Sequence, residues 1–393
     1  MKILFLFLIL TLSSACRTQA DNIISEPIKV GAERTDEYKP NLADRRVAVL
    51  ANHTAMVGES HLVDTLVSCG VNVVGIFSPE HGFRGGADAG EHVVNSVDQK
   101  TGIPIWSLYD GRTKRPAESV MHAFDVLVVD MQDVGLRFYT YYITMLRMID
   151  ACADFSRGVV VLDRPNPNGM YVDGPLLDMK HKSGVGALPI PVVHGLTMGE
   201  IALMARGEGW CKECELQVVK CENYTHQSRY VLPIAPSPNL PTQHSIYLYP
   251  SICLFEGTVC SLGRGTDFPF EVYGHPDYQG SEFCFTPCSR EGAKNPPLKD
   301  KECRGVDLRA KDDEQIIAEG FNLEYVIDAF RNLTSQGLEA EKFFTSMFEK
   351  LVGVDYVRQM IIEGRSAEEI RAVWKADLDG YRELRRQYLL YEE

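Results

Sequence analysis

Val126-Leu127-Val128-Val129-Asp130 is an unbroken apolar run closed by a carboxylate, and it leads straight into Met131-Gln132-Asp133-Val134-Gly135. A strand wetted on one face alternates apolar and polar residues. A continuous run rich in β-branched side chains marks a strand covered on both faces, which in a parallel sheet means helices above and below. The same form recurs at 46–51, 71–77 and 158–163, with a weaker copy at 105–109. Helical spacing separates these runs at 62–67 and over about 139–153, and Thr197-Met198-Gly199-Glu200 has the form of a capping box opening another helix. Residues 189–194, Pro-Ile-Pro-Val-Val-His, read as an additional edge strand. The fold expected is α/β: a Rossmann-like, doubly wound parallel sheet.

The pattern changes near Pro233. Pro236-Ser237-Pro238-Asn239-Leu240-Pro241 is stiff and extended, and beyond it come short irregular strands and helical stretches near 314–333, 340–350 and 366–388. This divides the chain into a Rossmann-like domain over 21–235 and a smaller α+β domain over 236–393, with a cleft between them. The chain of 393 residues carries a net charge of −14 and no basic stripe, which excludes nucleic acid as a partner. Lys2 followed by the apolar residues 3–12 reads as a secretory signal over 1–20, too short to span a membrane. Ser13-Ser14-Ala15-Cys16 resembles a bacterial lipobox, with Ser13 where a leucine is usual. Two outcomes stay open: lipidation of Cys16, which would be the one membrane contact, or cleavage near Ala20. Either implies export to the periplasm. There the clusters 211/214/221 and 284/288/303 would suit local disulfides, while Cys69 and Cys152 read as buried thiols.

Loops that leave parallel strands emerge on one side of the sheet, where open α/β folds bind ligands. After the strand at 71–77 comes Ser78-Pro79-Glu80-His81-Gly82-Phe83-Arg84-Gly85, running on to Asp88-Ala89-Gly90-Glu91. Asp130, Asp133, Arg137, Tyr139 and Tyr141 follow the strand at 126–129; Asp163, Arg164 and Asn166 follow that at 158–162; His194 closes the next. The chain lacks G-x-S-x-G, a P-loop and an early G-x-G-x-x-G, so no hydrolase elbow or nucleotide site is indicated. His81, His194 and Asp130 lack the spacing of metal ligands, and no metal or other cofactor is expected. Carboxylates among Asn, Tyr and Arg suit a carbohydrate site. Glycoside hydrolysis needs one carboxylic acid to protonate the leaving oxygen and a second group to attack or to activate water. Glu80 and Glu91 supply carboxyls in the first loop, Asp130 and Asp133 in the second. Plainer roles compete: an ion pair between Asp163 and Arg164, a structural His194, packing for two of Tyr139, Tyr141 and Tyr142. Arg264 either pairs with Glu256 or reaches an anion across the cleft.

The segments Pro79–Gly85 with Asp88–Glu91, Asp130–Gly135 with Arg137, Tyr139, Thr140 and Tyr141, and Leu162–Pro167 together resemble the NamZ-type exo-β-N-acetylmuramidases. So do Pro236–Asn239, Leu254–Thr258 and Gly263–Thr266, and the likeness runs from about residue 40 to the C-terminus. The resemblance implies a Rossmann-like domain followed by a smaller one, with the site between. Its substrate would be non-reducing terminal N-acetylmuramic acid, β-1,4-linked in peptidoglycan fragments. It favours Glu91 as general acid with Glu80 close behind, and leaves the second role to Asp130, Asp133 or the substrate's acetamido group. Substrate contacts would fall to His81, Arg84, Asp133, Arg137, Tyr139, Asn166, His194, Asn239 and Arg264, with Arg84, Arg137 or Arg264 taking the lactyl carboxylate. A muropeptide-binding lipoprotein without turnover is the alternative, and a metal-dependent hydrolase of another bond a third. One departure stands out: the family's Thr-Asn-Val-Ser-Glu-Gly-Arg-Gly-Thr reads here Thr258-Val259-Cys260-Ser261-Leu262-Gly263-Arg264-Gly265-Thr266.

Overall fold

The apolar runs become the central strands of one sheet. In the computed structural model, which describes residues 26–79, 83, 96–108 and 115–393, the strands in chain order are β1 (Val47–Ala51), the short hairpin β2 (Met56–Val57) and β3 (Ser60–His61), β4 (Val73–Ser78), β5 (Ser96–Val97), β6 (Pro104–Ser107), β7 (Val126–Asp130), β8 (Gly158–Leu162) and β9 (Leu216–Val219). Among the described residues the main sheet has the order β5-β6-β4-β1-β7-β8-β9, parallel throughout except for the edge strand β5. Leaving β5 aside, the sequence rank across the sheet is 3-2-1-4-5-6, the Rossmann order, with its reversal between β1 and β7.

Strands β1, β7 and β8 are buried along their whole length, and their side chains alternate between two cores. Ala48, Leu50, Leu127, Val129, Val159 and Val161 face the larger one, while Val47, Val49, Val126, Val128, Val160 and Leu162 face the other. Each such side chain removed from water contributes about 1.5–3 kcal/mol, which is why no polar residue interrupts the runs.

A second, antiparallel sheet follows: β10 (Val272–His275), β11 (Cys284–Phe285) and β12 (Cys303–Asp307), in the order β10-β12-β11. Helix Glu324–Ser335 packs on it, with Tyr273 donating to Asp328 at 2.8 Å, while helix Ala367–Arg386 lies against the loops of the first half, its Tyr381 donating to the His194 carbonyl at 2.8 Å. The larger core continues without a break from Leu127 and Val129 through Phe255 and Phe348 to Trp374, so the two parts share one packed interior.

Four expectations are corrected. Residues 189–194 form no strand: Pro189 and Pro191 offer no N–H, and Val193 bridges Leu136 and Asp173 within loops, while the outer position beside β8 goes to β9. The helical stretch at 314–333 is two helices, Asp313–Glu319 and Glu324–Ser335, parted at Gly320 with φ 65°. The ten cysteines of the described residues are free thiols; Cys221 lies past the far end of β9 from Cys211 and Cys214, its Sγ 3.3 Å from the Asp163 carbonyl. Cys152 is buried as expected, but Cys69 is exposed. Residues 1–25, with the signal and Cys16, lie outside the described residues.

Candidate active site

Three loops meet where the strand order reverses. Thr54, after β1, donates to Asn52 Oδ1 at 2.6 Å and accepts from the Gln132 amide at 3.1 Å, while the Gln132 side chain donates to the Pro165 carbonyl at 2.8 Å. The carboxyl ends of β1, β7 and β8 are thus tied together by buried polar groups. Asp130, the last residue of β7, is fully buried, and Arg164 grips it with Nε at 2.5 Å from Oδ1 and Nη2 at 2.9 Å from Oδ2. The Asp163–Arg164 pair expected from sequence is therefore replaced by Asp130–Arg164. Asp163 turns the other way and accepts from Thr197 Oγ1 (2.7 Å), the Gly199 amide (2.8 Å) and Tyr391 (2.7 Å). With both oxygens occupied and no exposure, Asp130 is not available for the catalytic role considered for it.

The loop after β7 carries the remaining candidates. Asp133 is buried; Oδ1 accepts from the Gly135 amide at 2.7 Å, while Oδ2 has no hydrogen-bond partner among the described residues. Burial pushes its pKa from an ordinary 3.8 up to about 7, because a carboxylate charge there would lack solvation. Gly135 has φ +80° and packs onto Asn166, where a Cβ would stand 2.1 Å from Oδ1. That contact fixes Asn166, whose Nδ2 donates to Leu196 O at 2.9 Å and whose Oδ1 accepts from the Asn168 amide at 2.8 Å. Its amide is satisfied inside the fold, so the substrate contact expected of Asn166 is not met.

Arg137 and His194 are likewise buried. Arg137 is fully buried, and its Nη atoms donate to the carbonyls of Pro175, Ile190, Leu351 and Val352 at 2.8–2.9 Å, joining the β7 loop to the second half of the chain. Its Nη atoms are committed to backbone. His194 has no exposure; Nδ1 accepts from the Leu196 amide at 3.1 Å while Nε2 has no hydrogen-bond partner among the described residues, and burial together with the nearby Arg385 and Arg137 drives its pKa down to about 3.

Tyr139, Asn239 and Arg264 come together. They line a cavity of about 190 Å³ with Tyr141, Tyr249, Glu256 and Phe270 among its other walls. Tyr139 donates to the Pro236 carbonyl at 2.9 Å, which joins the β7 loop to the proline-rich segment, and Asn239 donates to Gly292 O at 2.7 Å. Arg264 donates through Nε (2.9 Å) and Nη2 (2.5 Å) to the same oxygen of Glu256, Oε1, and its guanidinium carbon lies 4.9 Å from the Phe270 ring centre. The two pair, as one of the sequence readings had it. The departure at Leu262 is a core position, fully buried two residues before Arg264. A larger hollow of about 710 Å³ lies against helix Ala367–Arg386, but among the described residues none of the expected site residues lines it.

A small cavity that sets the rings of Tyr139, Tyr141, Tyr249 and Phe270 beside Ser237, Asn239 and the Glu256–Arg264 pair mixes the apolar and polar surface that a sugar bearing an acidic substituent presents. Sequence reasoning missed Tyr249 and Phe270. Phe270 stands six residues after Arg264, in the same loop, and that proximity was a usable signal. Tyr249 carried none, since Tyr247 and Tyr249 share helix Gln243–Ile252 and packing alone decides which one reaches the cavity. Glu80, His81, Arg84 and Glu91 lie outside the described residues.

Two family models account for most of the chain: the N-terminal part of exo-beta-N-acetylmuramidase NamZ matches residues 47–244, and its C-terminal part matches 247–391. The peptidoglycan beta-N-acetylmuramidase NamZ of Bacillus subtilis (strain 168) is 34% identical over 408 residues, covering 99% of this chain and 97% of its own. Crystal structures of two DUF1343 family proteins from Bacteroides fragilis NCTC 9343 superpose with TM-scores of 0.87 and 0.80, at 55% and 29% identity. Each covers 93% of this chain and 99% of its own. With both halves matched in order around one shared core, the chain belongs to the NamZ family of exo-beta-N-acetylmuramidases.

Proposed function

We propose that the protein is an exo-acting β-N-acetylmuramidase that releases non-reducing terminal N-acetylmuramic acid from peptidoglycan fragments during cell-wall turnover. The observation that carries this reading is the cavity that draws Tyr139 and Tyr141 from the β7 loop, Asn239 from the proline-rich segment and the Glu256–Arg264 pair from the second half of the chain into one wall. Aromatic rings accept the C–H faces of a pyranose, and Asn239 and Tyr139 meet its polar edge. N-acetylmuramic acid differs from N-acetylglucosamine by a lactyl ether ending in a carboxylate. Of the three arginines considered for that group, Arg137 is committed to carbonyls and Arg84 is not described, whereas Arg264 faces the cavity.

Hydrolysis adds water across the glycosidic bond while a carboxylic acid protonates the leaving oxygen. Glu91 or Glu80 supplies that proton in this reading. With Asp130 held by Arg164, the second role falls to Asp133 or to the substrate's acetamido group. The purified protein should liberate the aglycone from a chromogenic muramic-acid β-glycoside, and either Glu91→Gln or Glu80→Gln should lower kcat by about 10²–10⁴-fold. Undiminished turnover in both variants removes the acid assignment, and binding of the disaccharide without release of free sugar makes the protein a muropeptide-binding one instead. Export rests on Lys2 and the apolar residues 3–12. Cell fractionation should find the protein outside the cytoplasm, and Cys16→Ala should release it from membranes if Cys16 is lipidated.

A further inference from the structure

Arg264 is held from one side only. Two of its nitrogens meet a single oxygen of Glu256, while Nη1 and Glu256 Oε2 have no hydrogen-bond partner among the described residues, and both side chains line the cavity. The frame beneath the pair is rigid. Glu256 sits in the 3₁₀ turn Cys253–Gly257, whose last residue packs so closely on Phe348 that a Cβ would stand 2.5 Å from its Cα. Arg264 lies between Gly263 and Gly265, both with φ near +80°, and the Gly265 carbonyl accepts from the Cys288 amide at 2.9 Å. Phe270 backs the guanidinium on its flat side. An arginine side chain has many rotamers, so ordering it before a ligand arrives removes an entropic cost of binding.

We propose that Glu256 is a positioning residue: by holding Nε and Nη2 on Oε1 it aims Nη1 of Arg264 at the cavity to receive the lactyl carboxylate, and so sets selectivity for N-acetylmuramic acid over N-acetylglucosamine. This rests on the muramidase reading for the identity of the ligand. Glu256 also offsets the charge of a guanidinium that is only partly exposed, so Arg264 keeps its place in the absence of ligand. Oε2 stays available as an acceptor for a sugar hydroxyl or amide N–H.

The test measures binding, which does not require turnover. Titration calorimetry with free N-acetylmuramic acid and with N-acetylglucosamine, on the full chain, should show tighter binding of the acid sugar. Arg264→Ala should erase that preference. Glu256→Ala should weaken N-acetylmuramic acid by about 10–100-fold, the loss expected for a charged hydrogen-bonding group, while N-acetylglucosamine moves less than about twofold. Glu256→Gln, which keeps the acceptor oxygen and the shape, should fall between; it also provides the measurement if the alanine variant unfolds in a thermal melt. An equal loss for both sugars, no loss for either, or no preference in the unaltered protein overturns the inference. Preference without turnover of the chromogenic glycoside would sink the muramidase reading and leave the positioning role standing. Turnover without preference would do the reverse.

Discussion

Asp130 and Asp133 stand three residues apart in one motif, yet burial treats them oppositely. Asp130 meets a guanidinium through both oxygens, and replacing it with Asn leaves Arg164 buried and short of its counter-charge. Asp130→Asn should therefore cost about 3–5 kcal/mol in urea unfolding, a stability loss rather than a selective loss of turnover. Among the described residues no cation pairs with Asp133. Its folded pKa of about 7 lies above the unfolded value near 3.8, so the native state binds the extra proton between those values. Stability from this group is present at low pH and lost as pH rises through about 7. Asp133→Asn keeps the acceptor for Gly135 and removes that loss. Relative to the unaltered protein it should gain stability between pH 5 and pH 8, by up to about 4 kcal/mol. Urea midpoints that move in parallel for the two proteins across this range would refute the assignment.

At the scale of the element, helix Met198–Gly207 shows how local signals are reused by the tertiary structure. Thr197 caps it by accepting from the Glu200 amide at 3.3 Å, and Glu200 Oε2 accepts from the Thr197 amide at 2.9 Å. The capping box was legible in four residues. What it also holds was not: the Thr197 hydroxyl donates to Asp163, and Glu200 Oε1 accepts from the Leu390 amide (2.8 Å) and pairs with His226 Nε2 (3.0 Å). Thr197→Ala should cost more than the ~1 kcal/mol usual for a lost cap, on the order of 2 kcal/mol, because buried Asp163 loses a donor as well. Thr197→Ser, which keeps the hydroxyl, should restore most of it in the same denaturation series. Where no such signal exists, elements were misread: an apolar run ending in His194 looks like a strand until its neighbours prove to be loops.

On the scale of the whole molecule, the last residues close the chain back on the Rossmann sheet. The Tyr391 hydroxyl donates to Asp163 at 2.7 Å and accepts from the Cys221 amide at 2.9 Å, the Glu392 carbonyl accepts from the His226 amide at 2.8 Å, and Arg385 pairs with Glu393 at 2.6 Å. Arg137 makes the opposite link, from the β7 loop to Leu351 and Val352. Removing residues 389–393 should lower stability by about 3–5 kcal/mol, the sum expected for one buried tyrosine and a few lost hydrogen bonds. A melting temperature unchanged by that truncation would show the tail to be incidental.

The central parallel strands, their burial and the side of the sheet on which their loops emerge were legible in the sequence, because a continuous apolar run is stable only where both faces are covered and parallel strands send their loops one way. The resemblance of its motifs to muramidases was legible for a similar reason, since motif residues are close together in the chain. Which polar residues face the cavity was decided by tertiary structure alone. Asp130, Arg137, Asn166 and His194 have the residue types of a sugar site but are turned inward, where Arg164, backbone carbonyls and backbone amides take most of their polar atoms. Arg264, from the far half of the chain, keeps a nitrogen turned to the cavity because Glu256 and two glycines of its own loop hold it there.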